Sequence, residues 1–302
     1  MSSKSTPPQT QPAIFDGRLA RLHRARAAKG FAENAFLHRR VAEDLAERLE
    51  AVPRRFERAL LLGAPALMQE SLRARPALAA RIGEIVKADP AAALADGGIV
   101  LADETLPFTA AEFDLVLSPL ILHGVNDLPG ALIQIRRALR PDGLFLGALY
   151  AGGALQELRA ALLEGESEVK GGAGPRVAPF GDLIDLAGLL QRASFALPAA
   201  DRDEIVVRYR EPLRLLADLR AAGDTSALVA RAPPLTRAVL MRALEFYRER
   251  FAEADGRVRA TFEIVTLTGW APHESQQKPL RPGSAKARLA DALHTVEKKV
   301  PR

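Results

Sequence analysis

The chain has no cysteine, which excludes disulfides, thiolate metal sites and cysteine nucleophiles. That absence fits a reducing compartment, and the expectation is a cytoplasmic protein. No apolar run approaches the ~18 residues that span a bilayer. The opening stretch MSSKSTPPQTQPAIFDG lacks the apolar core of a secretory signal. Its Ser, Pro, Gln and Thr content reads as a disordered lead-in over residues 1–14. The five histidines show no metal-ligand spacing, so no metal site is expected. Nucleophile elbows, Walker loops and paired catalytic carboxylates are missing as well. Two basic runs, RLARLHRARAAKG (18–30) and KPLRPGSAKAR (278–288), contribute to a net charge of +5. Neither run carries the interleaved aromatics on which bases stack, and no DNA partner is expected. Contact of these basic ends with a membrane surface stays open.

What is present is an α/β pattern. The 302 residues are 48% hydrophobic and 26% charged, which suits a soluble chain able to bury a sizeable core. Residues 15–55 read as a helical segment, with apolar residues three and four apart in AFLHRRVAEDLAERLEAV until Pro53 stops it. Short apolar runs follow: RALLLG (58–63), EIVKAD (84–89), GIVLAD (98–103), FDLVLSPL (113–120) and LFLGALY (144–150). Such runs, separated by helical stretches, predict parallel strands buried on both faces. NDLPGALIQIRRALRPDG (126–143) is the clearest helix, capped by Asn126 or Asp127 and ended by a Pro141-Asp142-Gly143 turn. Further helices are expected in 152–166 and after Gly181, with a glycine-rich loop at 171–180 between them. DEIVVRY (203–209) and ATFEIVTLTGWAP (260–272) read as late strands around a helical insertion at about 210–258. A basic tail fills 273–302, with a short helix expected at 285–298.

In a sheet of this kind ligands collect at the carboxyl ends of the strands. The candidate residues are therefore Gly63, Asp89, Asp103 with Glu104, and Ser118. Asp89 can accept from two ribose hydroxyls; it can equally cap the turn before Pro90. Asp103 can accept from an adenine amino group or sit solvated in a loop. His123, in LILHGV, has the pKa range of a general base, although a lone histidine in an apolar stretch is more often packed.

The stretch LADETLPF…FDLVLSPLILHGVNDLPGAL…LRPDGLFLGALYAGGALQELR resembles the class I S-adenosylmethionine-dependent methyltransferases. Together with DEIVVRY and HESQQKP…GSA (273–285), it is most similar to the methyltransferase-like assembly factors of respiratory complex I. The malonyl-carrier-protein methyltransferases are a looser match. The resemblance runs from about Phe15 to Ala285. It implies a Rossmann-like, seven-stranded, mostly parallel sheet with its last strand antiparallel, and S-adenosylmethionine as cofactor. In the animal members it implies arginine hydroxylation of a complex I subunit. Carried over, Asp89 would hold the ribose, and Asp103 and Glu104 would lie near the adenine. Ser118, Leu120 and His123 would lie beside the methionine end.

The departures are local. The family's first loop carries an acid and three glycines at alternating positions. Here those positions are Leu61, Gly63, Pro65 and Leu67. Gly124 stands where the family has Trp. Leu67 adds bulk, Pro65 removes an N–H donor and Leu61 cannot bind an ammonium. Two readings follow: an enzyme that modifies a protein side chain, or a non-catalytic scaffold that binds a complex I subunit, at the cytoplasm or the inner face of the membrane.

Overall fold

A computed structural model describes residues 12–102 and 104–277. Asp103, the residues from 278 onward and the helix expected at 285–298 lie outside the described residues. The chain divides after Pro272 into a large unit and a C-terminal one. Within the second, His273 Nδ1 and Ser275 Oγ are 2.7 Å apart.

The N-terminal segment forms α1 (Gly17–Ala27), α2 (Phe31–Asn34) and α3 (Phe36–Glu50). Strand β1 (Phe56–Leu62) leads into α4 (Pro65–Arg73) and α5 (Pro76–Ala79), then β2 (Ile82–Asp89), β3 (Ile99–Val100) and β4 (Phe113–Pro119). Next come α6 (Leu128–Ala138), β5 (Leu139–Tyr150), α7 (Gln156–Lys170), α8 (Leu183–Arg192) and β6 (Ala196–Tyr209). The insertion supplies α9 (Pro212–Ala221) and α10 (Arg237–Phe251), and β7 (Val258–Trp270) closes the sheet. The order is β3-β2-β1-β4-β5-β7-β6, with β7 antiparallel to both its neighbours.

The continuous apolar runs have the physical cause expected of them. Leu61, Leu115, Leu117 and Leu146 face one layer, packed with Leu45 and Leu49 of α3. Leu60, Leu62, Val116 and Phe145 face the other, packed with Leu132 and Ile135 of α6. A strand covered on both sides has no polar face to alternate with. One polar exception, Asp114, is buried in β4, where its carboxylate accepts the Glu57 and Arg58 amides at 2.6 and 3.0 Å. It thereby joins β4 to β1.

Four elements differ from the sequence expectation. The 15–55 helical segment is broken by a tighter turn at Ala28–Gly30 and again at Ala35. β3 keeps only two residues, both exposed, because it pairs with β2 alone. β5 starts at Leu139: the expected turn is a kink inside the strand, with Asp142 at φ 62°. β6 begins at Ala196 rather than Asp203, since pairing with β7 extends it past a register shift that accommodates Pro198. The α6 cap is Asp127, which accepts the Gly130 amide at 2.8 Å.

Candidate functional site

The carboxyl ends of β1, β2, β4 and β5 surround a cavity of 410 Å³. Its walls include Leu62, Pro90, Leu101, Leu120–Asn126 and Tyr150, and α1 with residues 223–227 covers it. The backbone is strained at this rim. Leu120, buried at the tip of β4, has φ 45°, and Leu155, which begins α7, has φ 56°. Left-handed backbone in residues with a Cβ costs roughly 1–2 kcal/mol and persists only where surrounding structure enforces it.

Of the sequence-expected residues, Glu104, Leu120 and His123 line the cavity. Glu104 accepts the amides of Asn126 and Asp127 at 2.7 and 2.9 Å and so ties the loop after β3 to the start of α6. Gly63, at the tip of β1, has φ +85°, and a Cβ there would come within 2.7 Å of Ile121. Its glycine is required by close packing as well as by conformation. Ser118 is fully buried, pairs across the sheet with Gly147, and its Oγ has no hydrogen-bond partner. The His123 ring packs on Tyr150 and Phe180, at centroid distances of 4.5 and 5.7 Å. Desolvation, reinforced by the Arg24 charge, pushes its pKa down to about 3. It is therefore a neutral imidazole across the physiological range and a weak base, with a buried, unpartnered Nδ1. Gly124 borders the cavity with nothing within 4 Å of the place a Cβ would take.

Asp89 is at the end of β2 and fully buried. Both of its oxygens are occupied. Oδ2 takes the Arg24 guanidinium at 2.6 Å and the Ala64 amide at 3.0 Å. Oδ1 takes the Ala91 amide at 2.8 Å and Arg24 Nε at 3.3 Å. The Ala64 amide reaches it because that residue is left-handed (φ 46°), which lets Pro65 begin α4 without an N–H to satisfy. Leu67, Ala64, Ala27 and Phe31 share one apolar cluster. The loop after β1 is thus packed against the N-terminal segment.

That segment is fastened at several points. Asp16 caps α1 through the Leu19 amide at 3.0 Å and pairs with Arg231 at 2.7 Å. Asn126 Oδ1 accepts the amides of Ile14 and Phe15 at 2.7 and 2.8 Å. Phe15 forms a β-bridge with Leu228, and Arg21 donates to the Ala102 carbonyl. Gly223 (φ +76°) lets the helix in, since a Cβ there would come within 3.1 Å of Arg24 Cα.

A second acid, Asp224, lies on the cavity wall with its side chain 8% exposed. Tyr150 donates its hydroxyl to Oδ2 at 2.9 Å. His38 Nε2 is 3.7 Å from Oδ1, beyond hydrogen-bond reach, and burial holds that imidazole well below its usual pKa. Burial pushes the Asp224 carboxyl up to about 7, against the pull of the Tyr150 hydrogen bond and the Arg24 charge. Tyr150 is itself pushed well above the usual phenol range, by burial first and the Asp224 charge second. Arg24, His38, Tyr150 and Asp224 were not among the sequence candidates. Arg24 was hidden in a basic run and Asp224 in a Gly-Asp turn. Tyr150 closes a predicted strand, and its place at a strand tip is the signal that could have found it.

A methyltransferase-domain model matches residues 75–147. The human protein named arginine-hydroxylase NDUFAF5, mitochondrial, is 40% identical over 290 residues, 93% of this chain and 83% of that one. Its Danio rerio counterpart is 43% identical over 189 residues, an alignment spanning 63% of this chain and 59% of that protein. A malonyl-[acyl-carrier protein] O-methyltransferase of Halorhodospira halophila is 31% identical over 87% of the chain and 91% of its own length. Among solved structures, the YcgJ protein of Bacillus subtilis shares the fold: TM-score 0.50 and 14% identity over 76% of this chain and 98% of that one. With 40% identity sustained over nearly its whole length, the chain belongs to the NDUFAF5-like family of class I S-adenosylmethionine-dependent methyltransferase-fold proteins.

Proposed function

We propose that the chain is an assembly factor that takes a protein side chain of a respiratory complex I subunit into the 410 Å³ cavity, and that, folded in this way, it does not hold S-adenosylmethionine. One observation carries the reading: the hydrogen-bonding capacity of Asp89 is spent on Arg24, Ala64 and Ala91. A ribose would have to displace a buried guanidinium, and removing one partner of a buried ion pair costs about 3–5 kcal/mol. Leu61, Pro65 and Leu67 add to the same side, since each lost polar contact weakens binding by about 1–3 kcal/mol. The partner follows from the family resemblance, and the relatives named arginine-hydroxylases direct attention to arginine-bearing segments. No helix among the described residues is long and apolar enough to cross a membrane; the proposed meeting place with a complex I subunit is the membrane face.

A second reading, chemical modification of the inserted side chain, is favoured by His123, whose buried Nδ1 borders the cavity without a partner. Calorimetric titration of the full chain with S-adenosylmethionine and S-adenosylhomocysteine separates the two. No saturable heat is expected up to millimolar ligand. Dissociation constants below about 100 µM, roughly 5.5 kcal/mol of binding, would overturn the assembly reading in favour of a cofactor-dependent enzyme. A pull-down from membranes is expected to recover a complex I subunit.

A further inference from the structure

We infer that residues 14–27 form a displaceable strap: they swing off the body as one unit on the tight turn Ala28–Gly30, Arg24 is the latch that holds them shut against Asp89, and their release opens the 410 Å³ cavity. The inference rests on the reading of that cavity as the binding site, and it concerns access to the site rather than what enters it.

The sequence of α1 shows why this helix can leave. GRLARLHRARA buries only Arg24 and Ala27, whereas α3 buries seven residues, among them Leu37, Val41, Leu45 and Leu49. Ile14 and Leu22 stay 47% and 44% exposed even with the strap in place. Release therefore returns little apolar surface to water. Most of the fastenings are polar and near the surface: Asp16 with Arg231, Asn126 with the amides of Ile14 and Phe15, and Arg21 with the Ala102 carbonyl. Water replaces such contacts at small cost. An element held in this way belongs to the low-stability end of a fold.

Arg24 is the exception, because its ion pair with Asp89 is buried. Opening does not strand the carboxylate. The Ala64 and Ala91 amides that also donate to it belong to the body and stay with it. Arg24 lines the cavity, so water can enter where the guanidinium withdraws. Removing the guanidinium by mutation under a closed strap leaves a dry charge; lifting the strap lets water reach both partners. The pair is thus a contact that can be undone by movement.

The backbone marks the boundary of the moving unit. α1 stops at Ala27, a turn of 3₁₀ helix follows, and Gly30 leaves helical geometry at φ −122° and ψ 16°. Such short tight stretches beside a helix serve as hinges. Beyond the turn Phe31 is buried with Ala64 and Leu67, and its ring meets His38 of α3 edge-on at 5.1 Å. The chain is anchored from that residue on. Before the turn, Phe15, Ala20, Arg21 and Arg24 form one wall of the cavity, and a lift removes that wall. A ligand that needs the open cavity then binds in proportion to the open fraction, so the latch sets its apparent affinity.

The chain has no cysteine, so single thiols report without background. Ala27→Cys lies under the strap, Ala131→Cys in the cavity wall and Ala46→Cys in the core of α3; all three alanines are buried. Maleimide labelling of each full-length variant is followed against urea. The Ala27 and Ala131 reporters should react at one common rate, with a shallower urea dependence than the Ala46 reporter, which waits for global unfolding. With Arg24→Met and Asp89→Asn added, their rates should rise roughly tenfold or more, and the Ala46 reporter should gain less. A single rate and urea dependence for all three reporters, an Ala131 reporter that follows Ala46, or no gain without the latch would overturn the inference. If the latch-free chain does not fold, Phe15→Cys with Leu228→Cys decides. These residues form a β-bridge flanked by bonds from the Asp16 amide to the Ala227 carbonyl at 2.7 Å and from the Val229 amide to the Ile14 carbonyl at 2.9 Å. That is the pairing in which Cα atoms lie about 4.5 Å apart, within reach of a disulfide. Oxidation should slow amide exchange along α1 roughly tenfold or more relative to the reduced form; unchanged exchange would overturn the inference. Tight S-adenosylmethionine binding would sink the assembly reading alone, whereas uniform labelling would sink the strap alone.

Discussion

Two buried aspartates at the carboxyl edge of one sheet have opposite surroundings. Asp89, at the tip of β2, is ringed by donors and completed by a guanidinium from the same chain. Asp224, in the segment after α9, has one phenol hydroxyl and an uncharged imidazole. The Asp89 side chain is fully buried and that of Asp224 is 8% exposed, so most of the difference lies in pairing. A satisfied buried charge is a structural element. An unsatisfied one has its pKa raised by burial. In this chain the acid that the family resemblance assigns to a ribose has its carboxylate bound by Arg24 and two backbone amides. Asp224, which the sequence did not single out, is held by one phenol hydroxyl among the described residues.

The comparison breaks most forcefully at Arg24. Arg24→Met keeps much of the stem but leaves Asp89 charged and buried without its cation, and about 3–5 kcal/mol of unfolding free energy should be lost. Arg24→Met combined with Asp89→Asn should restore most of it, because the uncompensated charge is then gone. Urea denaturation of the four members of the cycle measures the coupling. If the single and double variants are equally unstable, the pair is not what holds α1, and the contrast between the acids disappears.

The next effect concerns Asp224 and appears as a pH dependence. Its folded pKa of about 7 lies above the ordinary carboxylate value. Between about pH 4 and pH 7 the native state therefore keeps a proton that the unfolded chain has released. The unfolded state binds fewer protons, so stability falls as pH rises through this window, and it is level outside it. The amplitude is on the order of 4 kcal/mol at 1.36 kcal/mol per pH unit. His38 and His123 act oppositely. Their folded values are depressed, so their contribution is lost as pH falls below about 6.5. Those terms are shared by the wild type and Asp224→Asn and cancel in the difference. The Asn variant should therefore gain on the wild type steadily from pH 4 to pH 7, as measured by chemical denaturation at fixed ionic strength. A difference independent of pH would mean that Asp224 is paired after all.

Much of the frame was legible in the sequence, and the legible part has a common cause. Leu60, Leu61 and Leu62 announce a strand covered on both faces because no polar position interrupts them, and the fold places helices on both sides. Asp127 could be read as a cap because its role is local. The site was legible only by position. Strand tips locate Gly63, Asp89 and Ser118, but nothing in KAD says that its aspartate meets an arginine 65 residues earlier. Arg24 looks like its neighbours in an arginine-rich helix; only the tertiary approach of α1 distinguishes it. Asp224 reads as a turn residue, and its burial comes from Tyr150, 74 residues away. β6 was shortened for a related reason: ALPAADR has neither strand composition nor alternation, and its pairing is imposed by β7.

Gly223 joins the two halves of the comparison, and it carries the smallest predicted effect. It precedes Asp224 directly, and its missing side chain lets α1 pass closely enough for Arg24 to reach Asp89. Gly223→Ala faces two costs. The residue is left-handed, at φ +76°, which costs an L-residue roughly 1–2 kcal/mol. The new Cβ would also lie 3.1 Å from Arg24 Cα and 3.4 Å from Ala27 Cβ. Gly171 supplies the control. At the end of α7 it has nearly the same conformation, φ +75°, with nothing within 4 Å of its absent Cβ. Gly171→Ala therefore meets the conformational cost alone. The excess loss in Gly223→Ala over Gly171→Ala, expected to be about 1 kcal/mol for a modest overpacking strain, isolates the contact with α1. Amide exchange should locate that excess: Gly223→Ala should speed exchange along α1, whereas Gly171→Ala should leave α1 unchanged. Equal losses with α1 undisturbed would mean that the helix is held by its other fastenings at Asn126 and Leu228. The closeness of its approach at Gly223 would then have no part in keeping Asp89 closed.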